Sequence, residues 1–315
     1  MPDAAAENPA GPRSGEISGT RVGLVVNPHA AAGSGNRIGA RLMRELGAAG
    51  FDIVHLSGPT AGAALANARR SISEDRLDLL VVAGGDGMTH LGVNACAGTD
   101  IPLAVVAVGT GNDIAGALGL PVRDVEASVA MIAAGRTRSV DAGRVDGDHH
   151  RPWFGGTLYA GFDAVVNARA NAWSWPRGQS RYNLAVVREL PVFSAIPYAV
   201  TIDGTRTETE AMLVIVANAS SYGGGMHVAP HALMDDGLFD VMILHKISRP
   251  EFLRVFPKVF SGTHVDHPAV QITRGRRVLL EADGITAFAD GEPFRRVPLR
   301  AEVVPGAVRV VVPAS

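Results

Sequence analysis

The stretch from Leu77 to Pro121 constrains the fold more than any other part of the chain, because two apolar runs within it each empty into a glycine-rich turn. Leu79 to Ala83 leads into Gly84-Gly85-Asp86-Gly87, and Ile101 to Val108 leads into Gly109-Thr110-Gly111-Asn112-Asp113. Helix-compatible sequence follows each turn, so a strand–turn–helix unit is used twice. Glycine at such turns permits positive φ and lets a phosphate approach the backbone. The N–H groups and helix N-terminus beyond them present partial positive charge to an anion. Two such turns side by side, at the carboxyl ends of parallel strands, form a nucleotide crevice. The carboxylates of Asp86 and Asp113 do not suit bare phosphate, which implies a cation between.

The chain before and after this stretch divides into two styles. Arg21 to Val26 reads as a first buried strand, followed by a loop from Asn27 to Gly35 and a helix from Asn36 to about Gly50 with Ile38, Leu42 and Leu46 on one face. Phe51 to Leu56 is a second strand and Ala61 to Ile72 a second helix, while Glu126 to Gly135 reads as a further helix. Strands alternating with helices of this length predict a parallel sheet covered on both faces. Beyond Thr137 short β-rich pieces take over, among them Ser139 to Val145, Trp153 to Tyr159, Ala211 to Ala217, Leu238 to His245 and Ala301 to Val312, with helices only at Tyr182 to Leu190 and Pro250 to Phe260. The expected fold is therefore an N-terminal Rossmann-like parallel α/β domain with a C-terminal, mostly antiparallel β-sandwich domain. The expected divisions are a disordered lead over 1–19, a nucleotide-binding domain over 20–137, a β-rich substrate domain over 138–300, and terminal strands over 301–315 whose return to the first domain is left open.

Composition removes several function classes. A net charge of -2 and a pI near 6.6 provide no basic field, which argues against a nucleic-acid partner. Cys96 is the lone cysteine, so no internal disulfide forms, and the usage fits a reducing compartment. No run approaches the about 20 apolar residues of a transmembrane helix, and the first residues lack the charged and apolar regions of a secretory signal. The expectation is a cytoplasmic protein that meets lipid only from the surface.

The motifs then resemble the diacylglycerol kinase catalytic-domain family, with bacterial lipid kinases and sphingosine kinases as relatives and NAD kinase more distant. The resemblance runs from about Arg21 to Val312. Its blocks are the loop Asn27-Pro28-His29-Ala30-Ala31-Ala32-Gly33, the GGDG turn to Met88, and GTGND at Gly109 to Asp113 followed by Leu118 to Pro121. In the β-rich part Asp141-Ala142-Gly143, Tyr222-Gly223-Gly224-Gly225-Met226 with Ala229-Pro230, Asp235 to Asp240, Ser261 to His264 and Asp290-Gly291-Glu292-Pro293 follow in order. Departures are Met88 where the family usually has threonine, His90-Leu91 for a common Asn-Glu pair, and Ala31 for the first loop glycine.

What the resemblance implies is phosphoryl transfer from ATP with Mg²⁺ to a lipid hydroxyl, most simply that of diacylglycerol, at a membrane surface. Asn27, Pro28, His29, Ala30, Ala31, Ser57, Gly84, Gly85, Asp86, Gly87, Met88, Thr89, Thr110, Gly111, Asn112 and Asp113 are the implied nucleotide-binding residues. Asp86 orients Mg²⁺ or its waters, Asp290 is favoured as general base, and Glu292 orients or is the alternative base. A structural Mg²⁺ is implied at the Asp236 carboxylate with the carbonyls near Leu233 and Leu238. Asp163 resembles a position beside the lipid cleft, with no role fixed.

Plainer readings stand beside these. The DG at Asp290-Gly291 is also an ordinary hairpin turn. His149-His150 and His264 with His267 lack a cysteine or third ligand, so zinc is weakly indicated and solvated or hydrogen-bonded histidines are the simpler reading. The loop Trp173 to Tyr182 suits either a headgroup-level anchor or a cover for the inter-domain cleft. A soluble-acceptor kinase of the NAD kinase type, a catalytically impaired nucleotide- or lipid-binding regulator, and a homodimer also remain open.

Overall fold

A computed structural model describes residues 20–27, 35–147, 152–173, 175 and 179–314. The expected disordered lead, His149-His150, and loop positions Pro28, His29, Ala30 and Ala31 lie outside the described residues.

The first half contains β1 (Arg21–Val26), α1 (Gly35–Ala48), β2 (Asp52–His55), α2 (Ala61–Ser73), β3 (Leu79–Gly84), α3 (Asp86–Cys96), β4 (Leu103–Ala107), α4 (Asp113–Ala117) and α5 (Val125–Ala134). Its strands run parallel in the order β2-β1-β3-β4. Every residue of β3 and β4 is buried, as expected of strands covered by helices on both faces. Local signals set the helix ends: Thr60 caps α2 and Asp124 caps α5 through side-chain oxygens, and Gly135 closes α5 in the left-handed region. The carboxyl ends of β1, β3 and β4 are neighbours, so the three motif loops start from one edge.

The second half contains β5 (Thr137–Val145), β6 (Trp153–Phe154), β7 (Thr157–Gly161), α6 (Phe162–Ala172), α7 (Gln179–Glu189), β8 (Ile196–Ile202), β9 (Thr205–Ala217), β10 (Phe239–His245), α8 (Arg249–Val255), β11 (Val270–Gly275), β12 (Arg277–Glu281), β13 (Thr286–Ala289), β14 (Glu292–Arg296) and β15 (Leu299–Val311). Apart from β15 against β4, its strands pair antiparallel. Along β9 and β10 the side chains alternate between two cores. Val214, Val216, Val241 and Ile243 join the sandwich interior, while Leu213, Ile215, Met242 and Leu244 face a second cluster with α6, α7 and α8.

Several elements differ from expectation. The single strand expected over Trp153 to Tyr159 is split into β6 and β7 by Gly155-Gly156. These residues leave the ladder and turn their N–H groups toward Asp290. The helix expected over Pro250 to Phe260 becomes α8 and a 3₁₀ turn over Phe256–Phe260, where Pro257 cannot continue an α-helical hydrogen-bond ladder. Helix α6 was not foreseen; it begins straight out of β7 at Gly161 with no side-chain cap.

Strand β15 joins the two halves. It pairs with β12 and along most of β5, and reaches β4 at Val310 and Leu103. The pairing with β5 shifts between Val304 and Val308, where Pro305-Gly306 bends the strand. The Asp141 carboxylate accepts the N–H groups of Gly306 at 2.8 Å and Gly237 at 2.7 Å, tying that bend to the turn before β10.

Candidate active site

The two glycine turns stack backbone on backbone. A Cβ on Gly109 would stand 2.3 Å from Cα of Gly85, and one on Gly84 would stand 2.3 Å from Cγ of Met88. Asn112 sits at φ 63° and closes the second turn, accepting from Gly109 N–H and donating to Gly109 O, both at 2.9 Å. The Asp86 carboxylate then accepts the N–H groups of Asn112 at 2.8 Å and Ile114 at 3.2 Å. Met88 is buried in the first-domain core over Gly84, and the Thr89 hydroxyl approaches Gly85 O at 3.5 Å. Ser57 Oγ accepts Val26 N–H at 2.9 Å on the wall of a notch of ≈ 520 Å³ beside the N-terminus of α1.

Burial and the nearby Asp113 raise the Asp86 carboxyl from its ordinary 3.8 to about 6. The two N–H donors only partly offset this. A cation beside Asp86 would relieve the desolvation and the repulsion, so the residues present fit a magnesium ion held by few carboxylates and several waters. Asp113 is itself engaged across the domain boundary, accepting the N–H groups of Gly224 and Gly225, each at 2.7 Å.

The second acidic motif meets the first across a cleft of ≈ 350 Å³, lined by Asp86, Thr110, Gly111, Asp113, Asp290 and Gly291 among others. Asp290 and Gly291 form the tight turn between β13 and β14, both with positive φ. The buried Asp290 carboxylate receives four donors: N–H of Gly155 at 2.9 Å, Gly156 at 2.8 Å, Thr157 at 3.0 Å, and Nδ1 of His90 at 2.9 Å. A carboxylate has about four lone-pair positions, so this one is saturated. Glu292, the next side chain along, is exposed, and its Oε1 lies 3.1 Å from where a Cβ on Gly87 would stand. The sequence pattern therefore brings Asp86, Gly87, Asp113, Asp290 and Glu292 together. It missed the donors at Gly155 to Thr157, for which the only signal was a Gly-Gly pair interrupting an apolar run.

The Asp236 turn lies elsewhere. Its carboxylate pairs with Arg274 and accepts Leu238 N–H at 3.1 Å, while Leu233 is exposed. The Arg274 guanidinium supplies a neutralising charge beside that carboxylate. His264 hydrogen-bonds Val228 O at 3.2 Å, and His267 lies 3.4 Å from Glu251. Asp163 hydrogen-bonds Tyr222 at the wall of a small apolar cavity of ≈ 40 Å³, lined also by Leu213, Met242, Phe252 and His264.

The diacylglycerol kinase catalytic domain family model matches residues 21–145, and that of the YegS C-terminal NAD kinase beta sandwich-like domain matches residues 156–312. A diacylglycerol kinase of Mycobacterium tuberculosis (strain ATCC 25618 / H37Rv) is 35% identical over 295 residues, 93% of this chain and 95% of the relative. The chain belongs to the diacylglycerol kinase family. Another member, a diacylglycerol kinase of Bacillus subtilis (strain 168), is 29% identical over 275 residues, 86% of this chain and 89% of the relative. The crystal structure of a diacylglycerol kinase from Bacillus anthracis str. Sterne shares the fold with a TM-score of 0.69 at 20% identity, covering 93% of this chain and 97% of that one. Family membership makes the chain a kinase, and its fold is the α/β domain plus β-sandwich of these neighbours. Among the described residues no helix is long and apolar enough to cross a membrane.

Proposed function

We propose that the protein transfers the γ-phosphoryl group of ATP to the free hydroxyl of diacylglycerol, forming phosphatidate. The observation that carries this reading is the meeting of Asp86 with Asp290 and Gly291 on one cleft between the halves, with Glu292 beside Gly87. Magnesium, when bound, supplies charge neutralisation at the transferring phosphoryl group. Asp86 is the residue that would hold it, with its carboxylate oriented by the N–H groups of Asn112 and Ile114. The stacked turns at Gly84 to Thr89 and Gly109 to Asp113 offer backbone donors to the phosphates.

The sequence favoured Asp290 as base, but its four donors leave no lone pair for a substrate proton. Glu292 takes that role here: it is exposed, stands over Gly87, and accepts the proton of the attacking hydroxyl. Asp290 keeps the turn in place. Acyl chains would lie toward the apolar cavity near Asp163 and Tyr222. Support for action at a lipid surface comes from α7, which exposes Leu184 and Val187 opposite its buried Ala185 and Val186, with Val192 and Trp175 exposed nearby in sequence.

Incubation with labelled ATP, Mg²⁺ and diacylglycerol vesicles is expected to give labelled phosphatidate. Transfer to NAD in solution, with vesicles left unlabelled, would replace the lipid reading by a soluble-acceptor one. Nucleotide binding without transfer to either would mark a regulator.

A further inference from the structure

One face of α3 carries Gly87, His90 and Asn94, spaced so that they stand in line along the helix. Each meets the second half of the molecule. Gly87 faces the Glu292 carboxylate, His90 faces Asp290, and Asn94 faces the backbone of Trp153. His90 and the Asp290 side chain are almost wholly buried, at 1% and 0% exposure.

The hydrogen-bond pattern fixes the imidazole. Asn94 Oδ1 accepts Trp153 N–H at 3.1 Å, and Asn94 Nδ2 donates to Trp153 O at 2.9 Å, which sets the amide's orientation without reference to the histidine. Nδ2 also lies 3.0 Å from His90 O and 3.3 Å from His90 Nε2. The two amide hydrogens go to Trp153 O and His90 O, so Nε2 faces a donor group and no acceptor, and a proton on Nε2 would be left unpaired. The ring proton is then on Nδ1 and is donated to Asp290 Oδ2. A doubly protonated ring would set N–H against N–H inside the core.

We infer that His90 is a positioning residue for phosphoryl transfer: a neutral, single-tautomer imidazole that anchors Asp290, and with it the Glu292 turn, against the nucleotide loop. The inference rests on the kinase reading above. Its logic is geometric. Asp290 is bound by three N–H groups of its own half and by one donor from the other, so His90 is the contact that registers the acidic turn to α3. Gly87 lies one helical turn before His90. Holding Asp290 on His90 therefore holds Glu292 over Gly87.

Two measurements on the full chain test this. In protein labelled with ¹⁵N-histidine, the His90 ring is expected to show a proton on Nδ1 and none on Nε2; a proton on Nε2 would overturn the inference, whatever the enzyme does. In the vesicle assay H90L, which removes the donor, is expected to lose ~100-fold in kcat with the KM for ATP little changed, the scale of a misplaced catalytic group. H90N, whose amide can present an N–H close to the Nδ1 position, is expected to recover most of that loss. Equal rates for H90L and the wild type, or equal losses for H90L and H90N, would overturn it. A wild-type protein that shows the Nδ1 tautomer but labels no lipid would sink the lipid-kinase reading on its own.

Discussion

Burial and Asp113 hold the Asp86 carboxyl near 6 against an ordinary 3.8, so the folded state binds its proton more tightly than the unfolded chain. By linkage, stability falls as pH rises through that window and is lowest above it. Without metal, urea unfolding of the wild type is expected to lose on the order of 2 kcal/mol relative to D86N between about pH 4 and pH 6, allowing for partial exposure. Parallel curves for the two proteins would refute the assigned conflict. Glu292 and Asp290 separate by the same kind of comparison. E292Q changes an exposed side chain, so its stability should match wild type while kcat falls ~10²–10⁴-fold, the usual contribution of a positioned base. D290N sets an amide N–H₂ against at least one of four inward donors, and should unfold more easily by about 2 kcal/mol. A D290N protein as stable as E292Q would mean that the four-donor cage is not worth what its geometry suggests.

Among the described glycines, Gly109 is the one whose added methyl would meet backbone most closely. At Gly109 a Cβ would meet backbone of Gly85 at 2.3 Å, and backbone cannot swing aside as a flexible side chain can. G109A is expected to abolish nucleotide-induced stabilisation in a thermal-shift measurement. G116A is the matched control: it lies inside α4 with nothing within 4 Å of its Cβ position, and should stabilise by about 0.5–1 kcal/mol through helix propensity. The two glycine turns were legible because an all-apolar strand ending in glycines has few other uses. The parallel strand and helix rhythm of the first half was legible for the same reason. What escaped is instructive. The first part of β9, Thr205 to Glu210, is polar and mostly exposed, so no apolar alternation announced it. Helix α6 follows β7 without a cap, so nothing but Gly161 and Asp163 interrupts the apolar residues from Leu158 to Val166. The saturation of Asp290 was invisible because its donors lie more than 130 residues away along the chain. Sequence shows that a carboxylate is present; only packing shows how many of its lone pairs are spoken for.

For the molecule as a whole, the hydrogen-bonded sheet runs without a break from β2 at one end to β14 at the other, passing through β15. Asp113 ties the halves through Gly224 and Gly225, as His90 does through Asp290, while Asp141 holds β15 itself through Gly237 and Gly306. A chain of two halves joined by a flexible linker would melt in two steps. One whose halves share a strand should melt in one, with the calorimetric enthalpy equal to the van't Hoff enthalpy. Asp141 is the place to break this. Its carboxylate holds the Pro305-Gly306 bend, where β15 passes from the second half to the first, and it is buried with both oxygens committed. Removing it leaves the buried Gly237 N–H without an acceptor, at a cost of about 1–3 kcal/mol, and releases the more exposed Gly306 N–H at the bend. D141A is therefore expected to lower the melting temperature and to broaden or split the transition, with the β-rich half and the nucleotide half no longer unfolding together. A single sharp transition at the wild-type temperature would show that the bend is held by the ladder alone, and that the link between the halves lies in the Asp113 contact and the His90–Asp290 pair instead.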